Sequence, residues 1–181
     1  MSEETVVRLC APTLAGMKTA SLFAQEYASR QQVQGEVRQL NRVLVPRGLR
    51  AMPLHYGRQR ALIYLYRPGR LRQDLRKEQA EAILRSRGYD PEKPEQCIRR
   101  LRLRLGAEGE FPHEIGLFLG YPPEDVAGFI GHGTCKCVGC WKVYGDEESA
   151  KKTFRQYKAC TEVYCNRMRM GATLRELIVA G

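Results

Sequence analysis

The amino-acid sequence predicts an α+β fold, built as a single domain over residues 1–181 with a small antiparallel sheet, a β-hairpin and several packed helices. The chain has 181 residues, 43% of them hydrophobic, which is enough for one core. Two extended runs, 49–56 and 61–66, flank a polar turn, and alternation in the second run indicates a hairpin. Apolar residues recur at helical spacing over much of the remainder, so helices should cover the sheet.

The helices follow from this periodicity and from the residues that begin and end them. Thr13 is suited to cap a helix whose apolar face would include Met17, Phe23 and Tyr27, ending near Arg30. A second helix is predicted over 33–44, before Pro46 and Gly48. Further helices are predicted over 71–88, from Pro94 onwards, and over 112–119, 122–130 and 150–168. A short strand is predicted at 141–144, and residues 173–179 are expected to pack against the rest of the domain.

Charge and composition narrow the class of protein. The formal net charge is +10, and residues 1–110 carry 21 Lys and Arg against 12 acidic residues. The longest apolar runs are far shorter than the roughly 20 residues of a membrane span, and Glu3 and Glu4 stand where a targeting segment would be basic. Seven cysteines without a secretion signal favour a cytoplasmic, reducing setting. No membrane partner is expected.

The most informative motif is the cysteine-rich loop at 132–141, which contains Cys135, Cys137 and Cys140 within six residues. Thiols at this spacing in a glycine-bearing loop are typical ligands of zinc or of an iron-sulfur cluster. Lys136 would lower the thiol pKa by favouring the charged form. The sequence therefore predicts a metal-binding or thiol-redox site, with thiols that serve only as structural residues as the alternative.

A fourth ligand would have to come from outside these three thiols. Cys160 and Cys165 are five residues apart on a predicted helix, about 140° apart around its axis, so both cannot easily reach one ion. His132 is the other candidate nearby. The predicted metal ligands are Cys135, Cys137 and Cys140, completed by Cys160 or His132, with Cys165 as a further alternative.

Two other places could carry catalysis. Cys10 precedes the predicted helix cap, where a helix N-terminus would stabilise a thiolate, although Gly16 stands where a phosphatase loop would have arginine. A buried structural cysteine is the alternative. His113 and Glu114 could form an acid/base pair or ligand set at a helix start, or simply place charge there.

The arginine-rich segment 38–104 suggests a nucleic-acid or anionic partner, because guanidinium groups bind phosphate through paired hydrogen bonds. A solvated helix surface is the alternative. The segment 114–130 has the spacing of a helix-turn-helix. Its second helix carries Glu124 and Asp125 and no side chain suited to reading bases, which argues against sequence-specific DNA binding.

Three segments together resemble an uncharacterised bacterial family that is catalogued only as a domain of unknown function. They are Cys10-Ala-Pro-Thr-Leu-Ala-Gly-Met-Lys18, His113-Glu-Ile-Gly-Leu-Phe-Leu-Gly-Tyr-Pro122 with Glu124-Asp-Val126, and Trp141-Lys-Val-Tyr144. The resemblance spans nearly the whole chain. It implies a bacterial protein, commonly from anaerobes, and no established activity, cofactor or catalytic residue. An anaerobic setting would be compatible with an iron-sulfur or reactive-thiol site.

Overall fold

The computed structural model describes residues 1–107 and 111–180 and has the predicted α+β fold, with a small antiparallel sheet, a hairpin and packed helices. The chain forms two compact units, unit 1 (residues 1–69 and 159–181) and unit 2 (residues 70–158). The helices are α1 (Glu3–Leu14), α2 (Arg30–Leu44), α3 (Pro68–Leu75), α4 (Glu78–Ser86), α5 (Pro94–Gly106), α6 (Ile115–Phe118), α7 (Pro123–Ile130), α8 (Glu147–Arg169) and α9 (Leu174–Leu177). The strands are β1 (Ala20–Glu26), β2 (Arg50–Tyr56), β3 (Arg60–Tyr66), β4 (Cys137–Val138) and β5 (Lys142–Val143).

The sheet of unit 1 has the strand order β1-β3-β2, and both pairings are antiparallel. The β2–β3 hairpin agrees with the strands predicted from alternation. The central strand β3 is buried almost throughout, because it has a neighbour on each side and helices cover the sheet. α2 packs its buried residues Val33, Val37, Leu40 and Leu44 into the same core.

The first helix was predicted at the wrong residues. The helix is α1, which Ser2 caps by accepting a hydrogen bond from the Thr5 amide, and Gly16 follows its end with a φ of 75°. This left-handed conformation suits glycine and turns the chain towards β1. Of the residues assigned to the predicted helical face, Phe23 therefore lies on a strand, Met17 lies in the turn before it, and Tyr27 follows it. Thr13 caps no helix and instead shares a buried hydrogen bond of 2.9 Å with Ser21.

The end of α1 is fastened by a buried arginine. The Arg67 guanidinium donates to the carbonyl oxygens of Thr13 and Leu14 at 2.7 and 2.8 Å, and to that of Val179 at 2.7 Å. The Val179 amide also donates to Leu14. Leu174, Leu177 and Ile178 are buried in the core of unit 1, so the last described residues form part of its packing.

Unit 2 is largely helical and contains the β4–β5 hairpin. The predicted helix over 71–88 is two helices, α3 and α4, separated by a short break. α6 and α7 are joined tightly through Gly120, whose φ is 75°. The unit's large buried side chains come from several of these helices and include Leu71, Leu75, Leu84, Leu101, Leu117 and Phe118.

Across residues 1–107 and 111–180, no helix combines the length and apolar character needed to cross a membrane.

Candidate functional site

The carboxylate of Asp125, near the start of α7, organises the candidate site in unit 2. Its side chain is 3% exposed. One oxygen, Oδ1, accepts hydrogen bonds from the backbone amides of Tyr144 and Gly145, both at 2.7 Å. The other, Oδ2, accepts one from the Trp141 indole N–H at 2.6 Å. One buried side chain therefore fixes both ends of the segment that contains β5.

Trp141 is held on two further sides by aromatic rings. Its ring stacks on Tyr121 with centroids 5.0 Å apart and meets Phe154 edge-on at 4.6 Å. Burial raises the pKa of the Tyr121 hydroxyl, which stays protonated and donates to the Cys140 carbonyl at 3.2 Å. Because each neighbour restrains the indole, this wall of the site is preorganised.

Two glycines permit the hairpin to pack so closely. A Cβ at Gly139 would lie 2.2 Å from the Phe154 ring, and a Cβ at Gly128 would lie 2.4 Å from the Cβ of Tyr144. Real side chains do not approach at these distances, so neither position accepts even alanine without movement. The absence of a side chain at both positions is what seats the hairpin against α7 and α8.

A groove of about 350 Å³ opens beside this framework. Its volume is within the range of small-molecule sites. Aromatic and aliphatic residues form most of its lining, and His113, Asp125, Cys140 and Lys142 add polar groups. The apolar lining consists of Phe111, Ile115, Gly116, Tyr121, Val126, Phe129 and Trp141.

The charge that a ligand would meet in this groove is positive. Asp125 lines the groove, but it is buried and both its oxygens already accept N–H bonds. The ammonium of Lys142 lies 5.2 Å from the centroid of the Phe129 ring. His113 meets the same ring edge-on at 4.8 Å. The groove thus combines flat apolar walls with an exposed cation.

The cysteine hairpin, residues 135–144, carries the three clustered thiols. Cys135 and Cys140 are exposed and Cys137 is half-buried. The Cys135 thiol donates to the Cys137 carbonyl at 3.2 Å. Within the described residues, no group of three or more His, Cys, Asp and Glu side chains is arranged to hold a metal ion.

At Cys137 the expected lowering of the thiol pKa by Lys136 is not found. Its ammonium donates to the Gly145 carbonyl. The pKa of Cys137 is raised, first by partial burial and then by the nearby Glu147 carboxylate, with Lys151 opposing. The sequence suggested Lys136 because it is adjacent in the chain, but the side chain that lowers this pKa comes from α8.

The remaining predicted ligands lie in different surroundings. Cys160 and Cys165 are half-buried on α8, which runs unbroken through both, and both belong to unit 1. Burial raises the pKa of Cys160. His132 is exposed and adopts a φ of 53°. The metal centre formed by Cys135, Cys137, Cys140 and either Cys160 or His132 stays a prediction.

Cys10 does not lie at a helix N-terminus. It is fully buried within α1, and burial raises its pKa to about 12, while Ser21 and Lys18 oppose the rise. The environment therefore favours the neutral thiol, the opposite of what nucleophilic catalysis needs. Its role as a catalytic residue has no supporting geometry in unit 1.

His113 and Glu114 are adjacent in sequence, but their side chains have separate surroundings. His113 lines the groove, whereas Glu114 is fully buried. Glu114 Oε1 accepts from the Tyr89 hydroxyl at 2.7 Å and lies 3.0 Å from Arg104 Nε. Its Oε2 lies 3.6 Å from Arg87 Nη1 and accepts no hydrogen bond. These contacts suit a structural carboxylate more than an acid/base pair.

Several arginines of the segment 38–104 are engaged within the protein. Arg67 binds backbone carbonyls, and Arg87 and Arg104 pair with Glu114. Arg100 donates to the Arg87 carbonyl and lies over the Tyr89 ring. These contacts argue against the whole segment acting as one surface for anions.

Thiol accessibility gives a first testable prediction. Cys10 and Cys97 are buried, and burial raises their pKa values to about 12 and about 11, so both should resist iodoacetamide at pH 8. The exposed Cys135 and Cys140 should be alkylated first. Peptide mass spectrometry over time would measure the order, with urea-unfolded protein as the control in which all seven react. Alkylation of Cys10 as fast as Cys135 in the folded protein would contradict the structure.

Comparison with known proteins places the chain in a family. No curated protein and no solved structure matches it significantly. The family described as "Protein of unknown function (DUF3793)" matches residues 6–178, which include both units and nearly all of the residues discussed above. The chain therefore belongs to the DUF3793 family, whose function is unknown.

Proposed function

We propose that unit 2 is a small-molecule-binding module whose groove takes a planar anion, such as an aromatic carboxylate. The observation that carries the proposal is the groove itself, about 350 Å³ in volume, walled by aromatic rings and lined by Lys142. Flat rings stack on aromatic walls, and an ammonium group pairs with a carboxylate.

The polarity of the groove supports an anion over a cation. Aromatic walls alone would also suit a cationic ligand. Lys142 already places a positive charge over the Phe129 ring, and the Asp125 carboxylate is buried under its three N–H donors. Among the described residues that line the groove, a bound cation would therefore meet the like charge of Lys142 and no accessible carboxylate, whereas an anion would meet Lys142.

Cys140 lines the groove, so the hypothesis of a reactive thiol and the proposal of a ligand site concern the same surface. A ligand lying on Trp141 would cover this thiol, while Cys135 does not line the groove. Ligand binding should therefore change the reactivity of one exposed thiol and not of the other. The metal hypothesis has no comparable arrangement behind it among residues 1–107 and 111–180.

The test compares three probes that share a ring system: 1-naphthoate, neutral 1-naphthalenemethanol and cationic 1-naphthylmethylamine. We expect 1-naphthoate to bind best, with a Kd of about 0.1–1 mM for a ligand of this size. It should quench the fluorescence of Trp141, which is the chain's single tryptophan, and slow the alkylation of Cys140. Lys142→Gln should weaken naphthoate binding about tenfold and leave binding of the neutral probe unchanged.

Lys152→Gln is the matched control, because this exposed lysine of α8 belongs to the same unit and does not line the groove. It removes the same charge and should change naphthoate affinity less than twofold. Equal binding of the three probes would refute the preference for an anion. Protection of Cys135 to the same degree as Cys140 would place the ligand elsewhere.

A further inference from the structure

The exposed side of α2 in unit 1 is basic and lacks a compensating acid. Residues 30–50 contain five arginines and one acidic residue, Glu36. Arg38 and Arg42 are exposed and one helical turn apart, so they lie on the same face. The apolar residues of the helix lie on its other side, in the core of the unit.

The single glutamate of this stretch is already paired. Glu36 Oε2 lies 2.8 Å from the amino group of Met1, and its Oε1 accepts from the Gln32 side chain at 2.9 Å. Partial burial on its own would raise the pKa of Glu36. The Met1 ammonium and the Gln32 side chain outweigh it and hold this pKa below its ordinary value. Its charge is therefore balanced by the ammonium and does not offset the arginines.

Asn41 joins the end of α2 to the beginning of β2. Its side chain exchanges two hydrogen bonds of 2.8 Å with the backbone of Ala51. Arg42 follows Asn41 and Arg50 precedes Ala51 in the chain, so both arginines are attached at this end of the unit. Arg47 lies in the tight turn that connects them. Arg38, Arg42, Arg47 and Arg50 together are the basic face.

Three other exposed arginines of the chain have carboxylate partners. Arg60 pairs with Glu26 at 3.0 Å, and Arg85 with Glu81 at 2.7 Å. Arg76 pairs with Glu92. In residues 1–107 and 111–180, the four arginines of the basic face form no such pair. A set of guanidinium groups left without carboxylates is suited to an external anion.

We propose that the basic face binds the phosphate backbone of a double-stranded nucleic acid. Arginine side chains spaced along a helix can each contact a phosphate. Single strands are bound largely by stacking on aromatic rings, and α2 contains no aromatic residue. A membrane surface would require apolar side chains to insert, but Val33, Val37, Leu40 and Leu44 of α2 are buried in the core. This inference is independent of the groove in unit 2.

The test measures binding of the full-length protein to a fluorescein-labelled 20-base-pair duplex, in DNA and RNA forms, by anisotropy at several salt concentrations. The triple variant Arg38→Gln/Arg42→Gln/Arg50→Gln should weaken binding about 100-fold at 50 mM salt and reduce the salt slope by about 2 to 3. The corresponding lysine triple variant keeps the charges and should bind within about fivefold of the unaltered protein. This second variant separates loss of charge from loss of folding.

The control is Arg60→Gln/Arg76→Gln/Arg85→Gln, which removes the same net charge from arginines that have carboxylate partners. We expect it to change duplex affinity less than threefold. Equal losses in the two glutamine triple variants would overturn the proposal, because net charge alone would then explain binding. Binding only to oligo(dT), or only to vesicles containing phosphatidylserine, would also overturn it, as would the absence of salt-dependent duplex binding.

Discussion

Replacing Asp125 with alanine should lower the free energy of unfolding by about 3 kcal/mol. The substitution removes the acceptor of three hydrogen bonds, from the indole of Trp141 and the amides of Tyr144 and Gly145. Each partly buried donor left without a partner costs about 1 kcal/mol or more. Urea unfolding followed by Trp141 fluorescence measures the change at the affected hairpin, because the chain has a single tryptophan.

Asp125→Asn tests the contacts individually. The asparagine oxygen can still accept from the two backbone amides, but its NH2 group would face the Trp141 N–H, so a loss of about 1–2 kcal/mol is expected. The neighbouring Glu124 is exposed, and Glu124→Gln should cost less than about 1 kcal/mol. If Asp125→Ala unfolded at the same urea concentration as the unaltered protein, the carboxylate would not hold the hairpin.

Replacing Glu114 with alanine should have an effect of similar size, about 3 kcal/mol. The substitution leaves the guanidinium groups of Arg87 and Arg104 without the carboxylate that they pair with, and the Tyr89 hydroxyl without its acceptor. Breaking a buried ion pair by removing one partner costs about 3–5 kcal/mol. The lower end applies because the arginine side chains are 28% and 33% exposed and water can reach them.

A graded series isolates the carboxylate of Glu114. Tyr89→Phe removes one neutral donor and should cost about 1 kcal/mol, and Glu114→Gln should fall between this value and that of Glu114→Ala. The control Glu95→Ala changes an exposed glutamate of the same unit and should cost less than about 1 kcal/mol. Thermal unfolding by circular dichroism would order the variants. A smaller effect for Glu114→Ala than for Tyr89→Phe would contradict the buried ion pair.

The parts of the fold that follow local rules could be predicted from the sequence. Alternation in β3, with a polar turn before it, is visible within a few residues and led to the correct hairpin. The apolar spacing of α2 likewise identified its buried face. The prediction for the region before α2 was wrong because Phe23 and its neighbours fit the periodicity of a helix as well as that of a strand. The position of the first helix is set by Ser2, which caps the start of α1, and by Gly16, which follows its end.

The candidate site was predicted only in part. The cysteine-rich loop was identified from its spacing, but its hairpin structure was not predicted. Asp125 entered only as an acid that argues against DNA binding, and Trp141 only as the beginning of a strand. Their hydrogen bond joins residues 16 positions apart, and local patterns do not encode such pairs. One signal was available: an indole N–H that is partly buried needs an acceptor. The same reasoning applies to Glu114, whose partners lie on α5 and on the segment between α4 and α5.

The contribution of residues 174–178 to unit 1 has a consequence for the order of folding during synthesis. Unit 2 is one continuous stretch, so its core can form once residue 158 has left the ribosome. Unit 1 contains residues from both the beginning of the chain and the part after residue 158. Arg67 cannot complete its hydrogen bonds until Val179 has been synthesised. The sheet of unit 1 must therefore remain incompletely covered while more than one hundred residues are translated. During that interval it would be a natural substrate for chaperones.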